Sequence, residues 1–514
     1  MAETTHPPVE LKRAQWNTRW GFLAAAIGSA VGLGSIWRFA YVVYENGGGA
    51  YLIPYVVALA TAGVPLMILE YGIGQRMRGS APLCFAKTTP YWEWLGWWMV
   101  MFVMFGINAY YTVVIAWCVS YLVFSFTLAW GDDPNAFFFQ QFLGSTPDAT
   151  TIGAIRSPIL LALILVWALN WLIAFFGVEK GIEKANKIFM PLLCILILLL
   201  VGWTLTLPGA REEGIFRYLT PDFSRLAEPK IWIDAYSQIF FTLSLGFGIM
   251  MTYASYLPPD ADINFDACVT NVVDTLISLV AGLAIFGTLG YMSSQTGKPF
   301  EQIVTHGIGL AFVAYPQAIS LLPNFPTLFG VLFFLALTVA GIASSVSILE
   351  AFSAAIIDKF GCLRKFTVSV VSILGFLSGI VFTTRGGLVW LDIVDHFLSH
   401  YGLFLACILQ CVVLGWIYRI AELGEHVNRI STLKVGRLFE ISIKYLIPIV
   451  LGILLWNDLV ADVRRPYGGY PWVMLLVVGV GWLVATLIGA LLVASRPWRT
   501  GLLGSGSRKT TAEG

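Results

Sequence analysis

Two stretches of this sequence put glycines and hydroxyls where a helix in apolar surroundings would carry bulk. One reads Gly28-Ser-Ala-Val-Gly-Leu-Gly-Ser35 and the other Thr242-Leu-Ser-Leu-Gly-Phe-Gly248. Each glycine costs a helix interior about 1 kcal/mol, so both stretches are expected to interrupt their helices. A break deep in lipid frees peptide N–H and C=O groups, which are tolerated only when buried in protein or lining a cavity. Freed carbonyls can grip a cation such as Na⁺, and exposed half-helix N-termini attract a carboxylate. Small residues also serve close helix packing, and one such cluster alone would be read that way. Here there are two, sharing a Gly-apolar-Gly core (Gly32–Gly34 and Gly246–Gly248) with first glycines 214 positions apart. Gly-interrupted spans at matching places in two halves point to a transport site. Three acids, Glu70, Asp274 and Glu350, lie within apolar runs. A carboxylate there is expensive, and function is its default explanation.

The elements that must position these groups are membrane spans. The chain has 514 residues, 58% hydrophobic and 12% charged, with a mean hydropathy of +0.78. Soluble proteins carry about a quarter charged residues. The 19 Trp, 20 Tyr and 35 Phe suit rings seated at membrane interfaces. A crossing needs about 20 apolar residues. Such runs fall near 20–44, 51–75, 95–129, 157–177, 185–207, 232–258, 267–294, 326–356, 366–384, 389–419, 441–460 and 472–495. The eleventh is interrupted by Lys444, Asn457, Asp458 and Asp462. Basic residues (Lys12, Arg13 and Arg19; Arg76, Arg78 and Lys87; Lys180, Lys184 and Lys187; Lys359, Arg364 and Lys365; Arg496 and Arg499) fall on alternate connections. Asp132, Asp133 and Asp148 fall on the loop after the third run. The positive-inside tendency then puts both termini in the cytoplasm. No cleavable signal precedes the first run, which is expected to be retained. The polar tail after Gly501 is expected to be disordered.

Several classes are disfavoured. A net charge of +1 gives no case for nucleic acid. The seven cysteines form no CxxC pair and sit mostly in apolar runs, so they read as small buried hydrophobes. No HExxH, GxSxG or P-loop pattern occurs, and the five histidines are scattered. An enzyme is not expected.

The glycine clusters sit in longer motifs. Trp16-Asn-Thr-Arg19, Ala30-Val-Gly-Leu-Gly34, Trp37-Arg-Phe39 and Glu45-Asn-Gly-Gly-Gly49 resemble the first span of the neurotransmitter:sodium symporter family. Gln238 to Gly248 with Thr252-Tyr-Ala-Ser-Tyr256 resembles its sixth, Ala340-Gly-Ile-Ala-Ser-Ser345 its eighth and Leu391-Asp-Ile-Val-Asp395 its tenth. The resemblance implies an all-α polytopic fold: a LeuT-type 5+5 inverted repeat, broken helices 1 and 6, and about twelve helices in all. It divides the chain into a cytoplasmic segment 1–19, repeat one (20–207), repeat two (208–419), spans 11 and 12 (420–495) and a tail 496–514. It implies sodium-coupled import of a neutral, hydrophobic amino acid by alternating access, through an inner membrane if the source is bacterial. Either a monomer or a homodimer fits. Loop 130–156 has neither the cysteine pair nor the N-x-S/T sequon usual in animal members, which favours a prokaryotic source.

The family's sites carry over residue by residue. Sodium site 1 maps to Ala30, Ser35, Thr242 and Asp274, with Asn271 as the competing choice for the last. Sodium site 2 maps to Gly28, Val31, Ala340, Ala343 and Ser344. The family has Thr or Asp where this chain has Ala343, so one side-chain oxygen is missing and one or two ions are implied. The substrate pocket maps to Ser29, Ala30, Gly32, Leu33, Gly34, Ile107, Tyr111, Phe241, Ser244, Phe247, Ser344 and Ile348. Tyr111 is expected to donate to the substrate carboxylate. Gly32 replaces the Asp of members that take amines lacking a carboxylate. Asn108 beside Ile107 can face either way. The outer gate maps to Arg38, Asp395 and Phe312, and the inner gate to Arg13 and Asp358 with Trp16, Ser255 and Tyr256. For Arg13 a plain positive-inside charge is a rival explanation.

Where some members use a carboxylate instead of chloride, this chain has Ser278. Asp274 lies four residues earlier on the same helical face and can supply the negative charge. Chloride is therefore not expected. Glu70 and Glu350 are either protonated or hydrogen-bonded to broken backbone. A sodium-independent exchanger of the same fold and a substrate-sensing receptor remain the alternatives.

Overall fold

The computed structural model describes residues 13–146, 150–304 and 307–503. Lys12, Asp148 and the tail beyond 503, used above for sidedness and disorder, lie outside the described residues. Within them the chain is helical apart from one isolated antiparallel bridge between Ile155 and Thr384.

Among the described residues, ten helices are long and apolar enough to cross a membrane. They are Gly48–Met77, Pro90–Phe124, Ser157–Phe175, Val178–Thr204, Ile263–Thr296, Pro326–Phe360, Arg364–Thr383, Gly387–Ile417, Arg437–Gly469 and Trp472–Ala494. An eleventh span is the pair Arg19–Ala30 and Leu33–Glu45, bent by 73°. The sixth expected span is likewise in two pieces, Pro229–Thr242 and Ile249–Ala254. In chain order these twelve segments are called spans 1 to 12 below.

Most boundaries fall within a few residues of those expected. Span 3 ends at Phe124 rather than 129, because the chain turns there and Leu128 adopts a φ of +50°. Span 11 is a full crossing despite its polar residues, and the structure shows why. Its acids face span 10: Asp458 meets His400 Nδ1 at 2.9 Å, while Asp462 meets His396 Nε2 and the Tyr401 hydroxyl at 2.6 Å each. Lys444 lies over the Trp416 ring. Asp458, Asp462 and Lys444 are thus paired within protein, while Asn457 stays exposed.

Spans 3 and 8 are central. In each, 83% of the most apolar stretch is buried, against 22% for span 12. A helix apolar all round and buried is a bundle core, and one apolar but exposed faces lipid. The two broken spans lie within this core. Thr18 caps the first helix of span 1, its Oγ1 accepting from Gly21 N at 3.0 Å.

Candidate functional site

Span 1 leaves helical geometry at Val31 (φ −73°, ψ 79°) and Gly32 (φ −97°, ψ −170°). Span 6 unwinds over 243–248, where Ser244, Gly246 and Gly248 have φ of +53°, +77° and +72°. These left-handed values favour glycine, which explains Gly246 and Gly248 in span 6. Glu70 of span 2 holds this break: Gly246 N donates to its Oε1 at 2.7 Å, and Gln410 Nε2 donates to the same oxygen at 3.1 Å. Of the two readings left open for Glu70, the structure shows the backbone hydrogen bond.

The breaks meet. Ser29 O accepts from Ser244 Oγ of span 6 at 2.9 Å and from Ser344 Oγ of span 8 at 3.1 Å. A cavity of about 800 Å³ opens beside them, and every residue assigned above to the substrate pocket lines it. A Cβ on Gly34 would meet nothing within 4 Å, so Gly34 leaves open space. A Cβ on Gly32 would stand 2.9 Å from the Tyr111 hydroxyl oxygen and 3.2 Å from Ser344 Oγ, leaving no room for a side chain. The Tyr111 oxygen accepts from Leu33 N at 3.1 Å, and its own proton stays available to an acceptor in the cavity. Asn108 turns away from the cavity and accepts from Ser345 Oγ at 2.8 Å.

A cluster of oxygens lies between the breaks and span 7. Ser35 Oγ is 3.1 Å from Ala30 O, 2.6 Å from Thr242 Oγ1 and 3.4 Å from Asp274 Oδ1. Thr242 Oγ1 is 3.2 Å from Asp274 Oδ2. All four residues are buried. Asn271 is turned elsewhere: its Nδ2 donates to Ala267 O at 2.7 Å, and its Oδ1 lies 3.2 Å from the Cβ position of Gly63 in span 2. Between the two choices left open, the structure brings Asp274 to this cluster. Carbonyl, hydroxyl and carboxylate oxygens with no nitrogen or sulfur are a donor set suited to a hard cation.

The residues assigned to a second cation are also gathered, with weaker chemistry. Ser344 Oγ is 3.2 Å from Gly28 O, and the Cβ position of Gly28 is 3.4 Å from the Ala343 methyl. Val31 and Ala340 are fully buried. Ala343 adds only a methyl, so its side chain contributes no oxygen.

The two ends of the cavity differ. At the Arg13 end the chain is clasped. Arg13 pairs with Asp358, donates from Nη2 to Ser255 Oγ at 2.6 Å and lies over the Tyr256 ring. Burial disfavours the guanidinium charge, yet Asp358 beside it raises the pKa of Arg13 above the ordinary value. Trp16 Nε1 donates to Tyr253 O at 2.8 Å, and Trp16 N donates to Tyr256 O. Arg13 is thus more than a lone basic charge at a helix end. Glu350 lies beside this clasp, accepting from the Tyr256 hydroxyl at 2.7 Å and pairing with Arg364 at 2.5 Å.

At the far end Arg38 and Asp395 both line the cavity without pairing among the described ion pairs. Arg38 lies 3.7 Å over the Phe241 ring, while Asp395 accepts from the Tyr110 hydroxyl and from Ser399 Oγ. The cavity is therefore open at this end and shut at the other. Phe312 needs a correction. It does not line the cavity but is fully buried, stacked 5.3 Å from Phe138 and packed on Trp117 and Tyr121. Its place between spans 7 and 8 suggested the gate, but the aromatics of loop 130–156 fold down and take it into their own core.

Three groups at the site were missed. Tyr110 holds Asp395 from span 3, and sequence offered only its adjacency to Tyr111. Tyr467 and Tyr470 donate to Asp392 at the open mouth, across a sequence gap no local pattern bridges. Asn186 of span 5 presses on Gly28 from outside both repeats' motif segments.

This geometry has relatives. The model of the sodium:neurotransmitter symporter family matches residues 13–137 and 131–496. A sodium-dependent transporter of Methanocaldococcus jannaschii, MJ1319, is 47% identical over 90% of this chain and 93% of its own length. The human sodium- and chloride-dependent GABA transporter 2 is 30% identical over 96% of this chain and 88% of its own. The crystal structure of MhsT in complex with L-phenylalanine superposes with a TM-score of 0.73 at 32% identity, covering 87% of this chain and all (100%) of that one. The chain thus belongs to the sodium:neurotransmitter symporter family, as a multi-pass, sodium-dependent membrane transporter and not an enzyme.

Proposed function

We propose that this protein couples Na⁺ entry to import of a neutral, hydrophobic amino acid. The observation that carries this reading is the Asp274–Thr242–Ser35–Ala30 oxygen cluster beside the cavity that opens at Gly34. Ile107, Phe241, Phe247 and Ile348 supply an apolar wall for a side chain. Tyr111 supplies a donor for an α-carboxylate, and the crowding at Gly32 excludes an acid there that would favour a bare amine. MhsT, whose structure holds L-phenylalanine, supports the same substrate class.

With both termini in the cytoplasm, the open mouth faces outward and the Arg13–Asp358 clasp closes the inner side. Transport then needs Arg38 to leave the Phe241 face and meet Asp395, and the clasp to part. Each pair stabilises one of two states, which is how a two-state element is biased. Ala30, Ser35, Thr242 and Asp274 hold the first ion, and Gly28, Val31, Ala340 and Ser344 hold the second. In this reading Asp274 balances the cation's charge and chloride is not required.

One observation favours a chloride-assisted alternative. The Gln238 amide and Ser278 Oγ are buried without partners among the described residues. Each stands one helical turn from a member of the Thr242–Asp274 pair, so both can reach an anion there. Proteoliposome uptake separates the readings. Accumulation of a hydrophobic amino acid that needs Na⁺ and survives replacement of chloride by gluconate supports the first. Uptake lost in gluconate supports the second, and sodium-independent uptake contradicts both. A thermal-shift screen of the twenty amino acids with and without Na⁺ identifies the substrate, because a ligand of the native state raises its apparent stability.

A further inference from the structure

We propose that Asn186 is a direct Na⁺ ligand, supplying through its Oδ1 the side-chain oxygen that Ala343 withholds from the second cation site. This inference rests on the sodium-coupled reading above and extends its ligand set to span 5.

Asn186 is 1% exposed. Its Nδ2 donates to Ile182 O at 2.9 Å, one turn back on the same helix. That bond fixes the amide with its oxygen outward from the helix. The oxygen takes no hydrogen bond among the described residues. It points at Gly28, where the Cβ position would lie 2.5 Å from Oδ1. The same Cβ position is 3.4 Å from the Ala343 methyl. The orphan oxygen and the oxygen-free side chain thus flank one point on span 1. The carbonyl oxygen of the same residue, Gly28 O, faces Ser344 Oγ at 3.2 Å.

Physical chemistry favours a cation as the missing partner. A buried amide oxygen left unpaired is costly, and native proteins seldom tolerate one without a reason. Turning the amide over would break the bond to Ile182 and aim N–H groups at Gly28, where the other nearest atoms to the Cβ position are the methyl carbons of Met190 and Ala343. A hard monovalent cation wants oxygen donors and no hydrogen-bond donor. Asn186 offers a neutral carbonyl dipole of the same kind as the peptide carbonyls it joins. It also explains the small residues around it: any side chain at 28 would strike Oδ1, and Met190 closes the next turn 3.3 Å from the same position.

The test is a double-mutant cycle on the full chain in detergent, with Na⁺ titrated against thermal unfolding and against binding of the amino acid found in the screen. Asn186→Ala is expected to raise the half-saturating Na⁺ concentration by about tenfold. Ala343→Thr is expected to restore it to near wild type in the Asn186→Ala background and to change it little in the wild type. Equal effects of Ala343→Thr in both backgrounds, or an Asn186→Ala titration like wild type, would overturn the proposal. Should Asn186→Ala fail to fold, Asn186→Asp keeps the volume and the oxygen and adds charge. It is expected to lower the half-saturating Na⁺ concentration by about tenfold, and an unchanged value counts against Asn186. A wild type with no Na⁺ response in either readout contradicts the sodium-coupled reading itself, which separates that failure from this one.

Discussion

Ser35 Oγ and Thr242 Oγ1 stand 2.6 Å apart, one on each broken span, and both lie against the carboxylate of Asp274. Two helices that each lost backbone hydrogen bonds are tied through three side chains to an unbroken third. Thr242→Val keeps the shape of the residue and removes the hydroxyl at the centre of this knot. It is expected to raise the Na⁺ concentration needed for half-maximal stabilisation by about tenfold or more, equivalent to about 1.4 kcal/mol. Na⁺-titrated thermal unfolding measures it, and a titration unchanged from wild type would remove the first ion from this position.

Asp274→Asn tests the charge separately from the geometry. The amide keeps an oxygen for the cluster but loses the negative charge. Uptake by the variant is expected to fall in gluconate and to recover in chloride, since an anion would then be needed to balance the ion. Wild-type uptake is expected to be the same in both salts. A variant indifferent to chloride would show that Asp274 does not carry the balancing charge.

The clasp at the closed end predicts a conformational phenotype. The Arg13 and Asp358 side chains are 12% and 6% exposed, so their pairing is not the weak kind found on open surfaces. Asp358 also accepts from Ser80 N at 2.9 Å, tying the connection between spans 2 and 3 to span 8. Asp358→Asn is expected to reduce uptake by about tenfold or more while substrate still binds, because it loosens one state and leaves the pocket intact. A cysteine introduced near Ser255 should react faster with an impermeant thiol reagent in this variant. Equal reactivity would show that the pair does not hold the inner side shut.

Much of this was legible in the sequence, for identifiable reasons. Gly246 and Gly248 announce backbone that a side chain would strain, Gly32 a place where a side chain would crowd Tyr111, and apolar runs of crossing length announce the spans. Of the substrate wall, Phe247 lies between two of those glycines, while Ile107, Phe241 and Ile348 were legible only through the family resemblance. Span 11 was harder, since Asp458 and Asp462 read as interruptions until the structure supplies His396 and His400 as partners. Phe312 was misplaced because its neighbours Phe138 and Trp117 come from segments almost two hundred positions earlier. Asn186 carried no local signal, because its significance depends on a glycine in another span and an alanine in a third.

Glu70 offers a contrast between two substitutions. Its Oε1 alone takes Gly246 N and Gln410 Nε2, and its Oε2 has no partner among the described residues. Glu70→Gln retains an acceptor at the same place and is expected to cost about 1 kcal/mol or less. Glu70→Leu strands two buried donors, each worth about 1–3 kcal/mol when unpaired. Thermal unfolding should therefore separate the two variants clearly, with Glu70→Leu also losing substrate binding as the span 6 break relaxes. Equal stability would mean that the span 6 backbone is held by its own turn geometry alone.

The last prediction concerns the chain beyond span 12. Lys359, fully buried at the end of span 8, pairs with Glu93 at 2.5 Å and donates to Ala494 O at 3.0 Å. Glu93 also accepts from Trp97 Nε1 and Trp498 Nε1 at 2.8 Å each. Arg499 N donates to Lys359 O at 2.9 Å, and Thr500 Oγ1 to Asp358 O at 2.5 Å, so this segment straps onto the helix end that carries the inner clasp. Removing one partner from a buried ion pair strands the other charge and typically costs about 3–5 kcal/mol. Lys359→Met is expected to lose that much, and Glu93→Gln with Lys359→Met to recover most of it, because no charge is then left unpaired. Denaturation of the three proteins in one detergent measures the difference. A double variant as unstable as Lys359→Met would show that packing around Trp97 and Trp498, and not charge pairing, holds the strap in place.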